Sequence, residues 1–316
     1  MALDVIILGG GIIGSFAAYH LASRGVSVVL IDDGRGGATA AAAGMLSPTF
    51  EIAHEQPEAS YANVLHDALS LWDEAAAALA DDPLATFGYR RDGIYGFGFD
   101  GRPEGTWPCG ADKRFAPFAE SPTIWAEGEG SVEPLLLRTL LRQHAERAGA
   151  KLVAGEAKRG VGACVTVNGE TLHAGALIVT AGARSGAEVI PVRGQAVLMR
   201  LDTRDAGAVP AVVRSPKVYF CPRRDNLVYI GATEQWPEDQ PTDLLKGLVD
   251  EALRLLPCLE RAVLVDRFDG FRPFVSSAGP RIDWADQGVL VAFGHHRNGV
   301  LLGPWTARRI GELLGL

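Results

Sequence analysis

Cysteine is scarce in this chain. Four occur in 316 residues, at positions 109, 164, 221 and 258, and no two form a C-x-x-C pair. That spacing argues against a zinc site or a disulfide framework and agrees with a reducing cytoplasm. No metal is expected. Long basic runs are also missing, and the net charge is −8, which excludes nucleic acid as the expected partner. No apolar stretch approaches the roughly 20 residues needed to span a bilayer, so no transmembrane segment is expected. The N-terminus reads MALDVIILGGGIIG. It lacks a positive n-region and its apolar run is cut by glycines, so it does not read as a signal peptide. There is no low-complexity segment, no linker-like stretch and no repeat at a 20–50-residue period. With 47% hydrophobic and 22% charged residues, the composition is that of an ordinary globular protein with room for one large domain or two interleaved ones.

What is present begins at Val5. A short apolar run, VIIL, has the character of a strand buried on both faces. It is followed by Gly9-Gly10-Gly11-Ile12-Ile13-Gly14, then by apolar residues at helical spacing that stop at Gly25, then by VSVVLI ending in Asp32-Asp33. The order strand, glycine turn, helix, strand, acid is a dinucleotide-binding unit. Gly9 permits the tight turn, Gly11 lets backbone approach a pyrophosphate, and Gly14 lets helix and strand pack closely. The helix start offers free N–H groups to phosphates. Asp32, about twenty residues further on, is placed to accept from ribose hydroxyls, with Asp33 as the other candidate. Between Gly34 and Pro48 the chain is small-residue rich, with Arg35, Thr39 and Met45. Such residues let backbone N–H groups approach a large flat ligand. A flexible alanine-rich linker is the other reading of this stretch.

GGGIIG, the terminal acid and AAAAGMLSP together resemble the D-amino-acid oxidase superfamily of FAD enzymes, most nearly its glycine oxidase branch of the thiamine-biosynthesis type. The resemblance implies an α/β fold in which a Rossmann-like FAD-binding domain is interleaved with a substrate domain built on a mainly antiparallel sheet. It implies FAD domain segments at 1–84, 128–189 and 272–316, and substrate domain segments at 85–127 and 190–271. It also implies that Ala42, Ala43, Gly44 and Met45 run along the cofactor, with Met45 near the substrate pocket. The segment from Glu58 to Asp82 reads as one amphipathic helix, with Leu65, Leu69, Trp72 and Ala76 on a single stripe and His66 at the surface. Val132 to Leu152 reads as another helix stopped at Gly149, then a strand around Val153. By resemblance, the backbone at Ala157 faces the adenine, and Ala181-Gly182 lies against the cofactor. Asn168-Gly169 is a hairpin signal. Phe87 to Trp107 suggests short twisted strands.

The same resemblance points to the substrate site. DGFRPF aligns Arg272 with an arginine that grips the substrate carboxylate; a guanidinium suits that task because its planar fork pairs bidentately and keeps its charge. Tyr219 aligns with a tyrosine that hydrogen-bonds the same carboxylate; packing at a sheet edge is its other reading. Gly294-His295-His296-Arg297-Asn298-Gly299 precedes the last helix. The family pattern implies that the helix start, Asn298 to Leu301 with Gly299 and Val300, meets the flavin pyrimidine ring, and that Arg297 lines the site. His295 and His296 are candidate bases or structural hydrogen-bonders. His296 stands where the family has an aromatic, VSSAG after Arg272-Pro273 lacks the usual acid, and the chain is shorter than family members. No Cys lies between 259 and 316, so non-covalent FAD is expected.

The implied reaction is oxidative deamination of a small amino acid or secondary amine, with hydride passing from Cα to flavin N5. The products are an imine, then a 2-oxo acid and ammonia, and hydrogen peroxide when oxygen is the acceptor. Three rivals stay open: a D-amino-acid or sarcosine-type dehydrogenase serving another electron acceptor, a non-catalytic flavin-binding protein, and an NAD enzyme. The sequence leaves room for a homo-oligomer and is expected to be cytoplasmic.

Overall fold

The computed structural model describes residues 4–99, 101–108, 123–239 and 244–316. Cys109, and with it the 109–122 part of the expected 85–127 segment, lies outside the described residues. Strand Val5–Leu8 is the centre of a six-stranded sheet. Val28–Asp32 and then Lys151–Ala154 lie on one side; Ala176–Val179, Val289–Phe293 and Arg281–Asp286 lie on the other. The pairings are parallel except for the last, an antiparallel hairpin.

The alternation of a strand explains the layers on either side. Val5, Ile7, Val28, Leu30 and Ile178 face a helical layer built on Ile12–Ala22, Pro134–Arg147 and Gly303–Leu313. Ile6, Leu8, Val29, Ile31, Leu177 and Val179 face a three-stranded sheet formed by Ala157–Arg159, Cys164–Val167 and Glu170–His173. The hairpin expected at Asn168-Gly169 joins the last two strands, with φ of 51° and 84°, the left-handed pair that a two-residue turn requires.

The second sheet has eight strands in the order Val263–Phe274, Ile190–Arg200, Leu227–Gly231, Tyr219–Pro222, Val212–Arg214, Ile94–Phe97, Thr123–Ala126, Trp107–Pro108. All described pairings are antiparallel except Val212–Arg214 with Ile94–Phe97. One face holds Val197, Met199, Phe220, Val228 and Ile230 under helix Leu245–Leu255. The other carries Ala196, Leu198, Tyr219, Cys221, Tyr229 and Phe268 toward Ala43, Met45 and Phe50. The fold is therefore the expected mixture of a Rossmann-like α/β unit with a mainly antiparallel sheet. The boundary expected before 272 falls inside strand Val263–Phe274, the one after 84 inside helix Pro83–Phe87, and the one after 189 at the start of Ile190–Arg200.

Two helix expectations change. The helix expected over Glu58–Asp82 is two helices, Ala59–Ser70 and Trp72–Leu79, meeting at Leu71. Leu71 keeps right-handed backbone, so the apolar stripe stays nearly continuous and Leu65, Trp72 and Ala76 are all buried. The final helix starts at Gly303, one turn later than expected. Residues 298–302 instead form turns, closed by Leu302 N–H to the Asn298 carbonyl (2.8 Å) and Gly303 N–H to the Val300 carbonyl (3.1 Å). Pro304 occupies the first helical turn, where a missing N–H costs nothing. The turn is braced from the Trp72 helix, whose indole N–H donates to the Leu301 carbonyl at 2.8 Å. No helix among the described residues is long and apolar enough to cross a membrane.

Candidate active site

A long cleft, open to solvent, lies where the two sheets meet. The glycine turn Gly9–Gly11 with Ile12 and Ile13, the acids Asp32 and Asp33, Thr39, Ala42 to Met45, Ala181-Gly182 and Arg297 to Val300 all line it, together with Tyr219 and Arg272. Most residues singled out from the sequence thus converge on one space. Three do not: Gly14, Ala157 and Leu301 are absent from its lining. Gly14 lies beneath the turn, where a Cβ would overlap the Gly9 carbonyl oxygen. Ala157 opens a strand of the three-stranded sheet. Leu301 is in the core, 1% exposed.

The cleft's glycines test whether a dinucleotide fits. At Gly9 (φ 105°) a Cβ would come within 2.5 Å of the Thr180 carbonyl oxygen, so the protein itself demands glycine there. At Gly11 a Cβ would meet only the Thr39 hydroxyl, at 3.3 Å, and at Gly299 only the His295 Cβ, at 3.7 Å. The fold does not require glycine at these two cleft positions. Their missing side chains leave room along the wall for a ligand, which is what a cradle for a large flat cofactor needs. Thr39 holds the turn by accepting from the Ile12 N–H at 3.0 Å. Asp32 and Asp33 both reach the cleft, yet each already has a cation: Arg142 Nη1 is 2.9 Å from Asp32, and Arg184 Nη1 is 2.6 Å from Asp33. Arg184 also lines the cleft, a contribution the sequence reading missed.

Strand periodicity aims the other wall. Phe268, Gly270 and Arg272 share one face of Val263–Phe274, and Gly194 pairs with Gly270 on the neighbouring strand. The Arg272 guanidinium lies across Gly194, where a Cβ would be 2.5 Å from Nη2. Tyr219 pairs with Gly231, and a Cβ there would be 2.6 Å from the Tyr219 hydroxyl. Two strand glycines therefore make the space in which the arginine and the tyrosine lie flat. Glycine inside a strand is the signal for such close approach, and it was available in PVRGQ and VYIGAT. Arg272 donates both Nη atoms to the Thr233 carbonyl at 3.2 Å, and among the described residues no carboxylate forms an ion pair with it. Burial pushes the Tyr219 hydroxyl up, only partly offset by the Arg272 charge, so it stays a protonated donor.

The two histidines divide. His295 is 2% exposed, and burial lowers its pKa to about 3. It is neutral and bonded through Nε2 to the Thr306 hydroxyl at 3.0 Å, a structural partner rather than a base. His296 packs edge-on against Phe274 (5.2 Å) and tilted against Trp236 (6.2 Å), so it keeps the place of an aromatic. Its Nδ1 is 3.1 Å from Glu55.

His295 should leave a signature in stability. Its folded pKa lies below the ordinary 6.5, so the unfolded chain binds the extra proton first. The stabilisation is complete above pH 6.5 and is lost as pH falls toward 3. Denaturant midpoints from pH 7 to 4.5 should fall more steeply for the parent than for His295→Gln, by about 1.4 kcal/mol per pH unit below 6.5. Parallel curves would mean that the imidazole is not held neutral by burial.

Comparison with known proteins fits this geometry. A family model described as FAD dependent oxidoreductase (DAO) matches residues 4–313. The chain belongs to that family of FAD-dependent oxidoreductases. Among curated relatives it is 28% identical to a bifunctional protein ThiO/ThiG from Synechocystis sp., across 98% of this chain and 51% of the relative. It is 27% identical to a glycine oxidase from Pseudomonas putida, across 99% of this chain and 95% of that protein. The chain thus spans about half the length of the bifunctional relatives and nearly all of the glycine oxidase. Among solved structures it superposes on a glycine oxidase from Geobacillus kaustophilus with a TM-score of 0.84, 24% identity and coverage of 99% and 94% of the two chains. An iminodiacetate oxidase from Chelativorans sp. gives 0.85, 25% identity and coverage of 99% and 95%.

Proposed function

We propose that the protein is an FAD-dependent amino-acid oxidase acting on a small amino acid or secondary amine, with a glycine-oxidase-like site and non-covalently held FAD. The carrying observation is Arg272: a guanidinium in the same cleft as the glycine turn, bonded to a carbonyl and free of an ion-pair partner among the described residues. An arginine held that way keeps its charge and its remaining N–H groups for a carboxylate. The relatives named glycine oxidase, and the similarity to them over the full chain, support the same reading.

The turn Gly9–Ile13, with Asp32, Asp33 and the Ala42–Met45 segment, would hold the dinucleotide, and Asn298 to Val300 would line its ring end. FAD, when bound, supplies the acceptor for two electrons and the Cα hydrogen. The residues of the chain bind and orient. Arg272 and the Tyr219 hydroxyl hold the substrate carboxylate, which fixes where Cα lies; Met45 and Arg297 bound the remaining space. His295 takes no proton, and no acid–base pair is required of the protein, because the amine reacts neutral. Overall, the substrate loses two hydrogens across its Cα–N bond, and water hydrolyses the imine to a 2-oxo acid and ammonia, or the primary amine when the substrate nitrogen carries an alkyl group. Oxygen that accepts the two electrons and two protons becomes hydrogen peroxide.

The purified protein should be yellow and should release flavin on acid denaturation. Anaerobic addition of glycine, sarcosine or one member of a D-amino-acid panel should bleach the visible flavin band, and air should then return peroxide in equal amount. Bleaching by no amine would overturn the assignment. Bleaching without peroxide in air would replace the oxidase by a dehydrogenase.

A further inference from the structure

The cleft has a second charged wall, of which the reaction above uses only Arg297. Helix Pro48–Glu55 supplies Glu51 and Glu55, and the 294–300 segment supplies His296 and Arg297. Glu129 fixes that helix, accepting from the Thr49 N–H at 2.7 Å. Glu51 lines the cleft and is 5% exposed. Its Oε1 meets Arg214 Nη1 at 2.5 Å; its Oε2 is buried and has no hydrogen-bond partner among the described residues. Leaving a carboxylate oxygen in that state is costly unless something donates to it. Arg297, in contrast, is already spoken for: Nη2 donates to Glu234, and Nε lies 3.6 Å from Glu55. Glu51 and Arg297 line the cleft; behind them Arg214 pairs with Glu51, and Arg297 with Glu55 and Glu234. Burial alone raises the Glu51 carboxyl, but Arg214 and Arg297 outweigh it and hold it below the ordinary value. It is an anion with one open acceptor.

We propose that this wall is an acceptor subsite that selects substrates: Glu51 Oε2 takes a hydrogen-bond donor at the far end of a small carboxylate ligand, an ammonium in the favoured case, while Glu234 neutralises Arg297 and so bars a second carboxylate. The substrate class it favours is a small amino acid with a second donating group, in its simplest form a diamino acid. Acidic amino acids and dicarboxylates are excluded because Arg297, the cation lining this wall, is already paired. This rests on the reading of Arg272 as the carboxylate clamp.

The test is ligand binding to the FAD-loaded protein, read by calorimetry and by perturbation of the flavin spectrum. Propionate, β-alanine and malonate are the probes. None carries nitrogen on its α-carbon, so all bind without turnover. β-Alanine should bind at least about ten-fold more tightly than propionate, and malonate at least about ten-fold more weakly, as expected for one charged hydrogen bond gained or one unpaired charge imposed. Glu234→Gln should recover about ten-fold for malonate, and Glu51→Gln should bring β-alanine back to propionate. Because Glu51→Gln disturbs the buried pair with Arg214, the ranking on the unmodified protein decides by itself. Equal binding of β-alanine and propionate would overturn the proposal and leave the open oxygen to a buried water. Arg272→Lys separates the two readings. Loss of affinity for all three ligands with no preference among them defeats the subsite alone; unchanged affinity for all three defeats the clamp.

Discussion

Arg272→Lys keeps its flavin and loses roughly 10–150-fold in kcat/KM for the best amino-acid substrate, the range expected when a charge-assisted hydrogen bond of about 1.5–3 kcal/mol is removed. Lysine preserves the charge but has no fork, so a bidentate contact becomes a single one. The structure adds a geometric reason for expecting a loss. The guanidinium lies flat over Gly194 and is tethered by two bonds to the Thr233 carbonyl. An ammonium bonded to that carbonyl keeps two donors, but not the planar pair that matches a carboxylate. Most of the effect should fall on KM, since the carboxylate is held equally before and during reaction. Steady-state kinetics with flavin content measured on the same preparation checks both halves. A simple amine without a carboxylate that turns over as well as the amino acid would remove Arg272 from the site.

The other large effect concerns two glycines only three residues apart. Gly14→Ala places a methyl group on the Gly9 carbonyl oxygen and within 2.6 Å of the Thr180 hydroxyl. Helix and strand must separate, and overpacking of this kind costs about 1–3 kcal/mol or more, so both stability and flavin should be lost. In Gly11→Val the added Cβ meets only the Thr39 hydroxyl, at 3.3 Å, in the protein itself. It should fold with a melting temperature close to that of parent apoprotein but fail to retain flavin, because the side chain occupies the space meant for the pyrophosphate. Circular dichroism melts of the apoproteins, alongside flavin released per chain, separate the two. A yellow Gly11→Val protein would mean that the cofactor does not run past this turn.

The first forty-five residues were legible as written. The spacing of glycines between VIIL and VSVVLID gives the turn, and the alternation within each strand gives the two faces, since side-chain direction along a strand follows from backbone geometry alone. The hairpin at Asn168-Gly169 was legible because both residues tolerate the positive φ that a two-residue turn requires. The helix start was misjudged by one turn because the apolar run VLL has helical spacing in either frame, and the bonds that close residues 298–302 depend on Trp72 and Tyr61 holding that turn from outside.

By itself, then, the sequence determined most of the elements and their buried faces, which are set by residues within about one turn or one strand of each other. The tertiary structure alone decided the charges. Glu51 meets Arg214 across 163 positions and Arg297 meets Glu234 across 63, and nothing local in the chain encodes either pairing. Whether an arginine is a spare cation, like Arg272, or an occupied one, like Arg297, depends on distances that exist only after the two sheets have closed on the cleft. Electrostatic partners are chosen by proximity in space, and proximity is the one quantity a linear sequence does not carry.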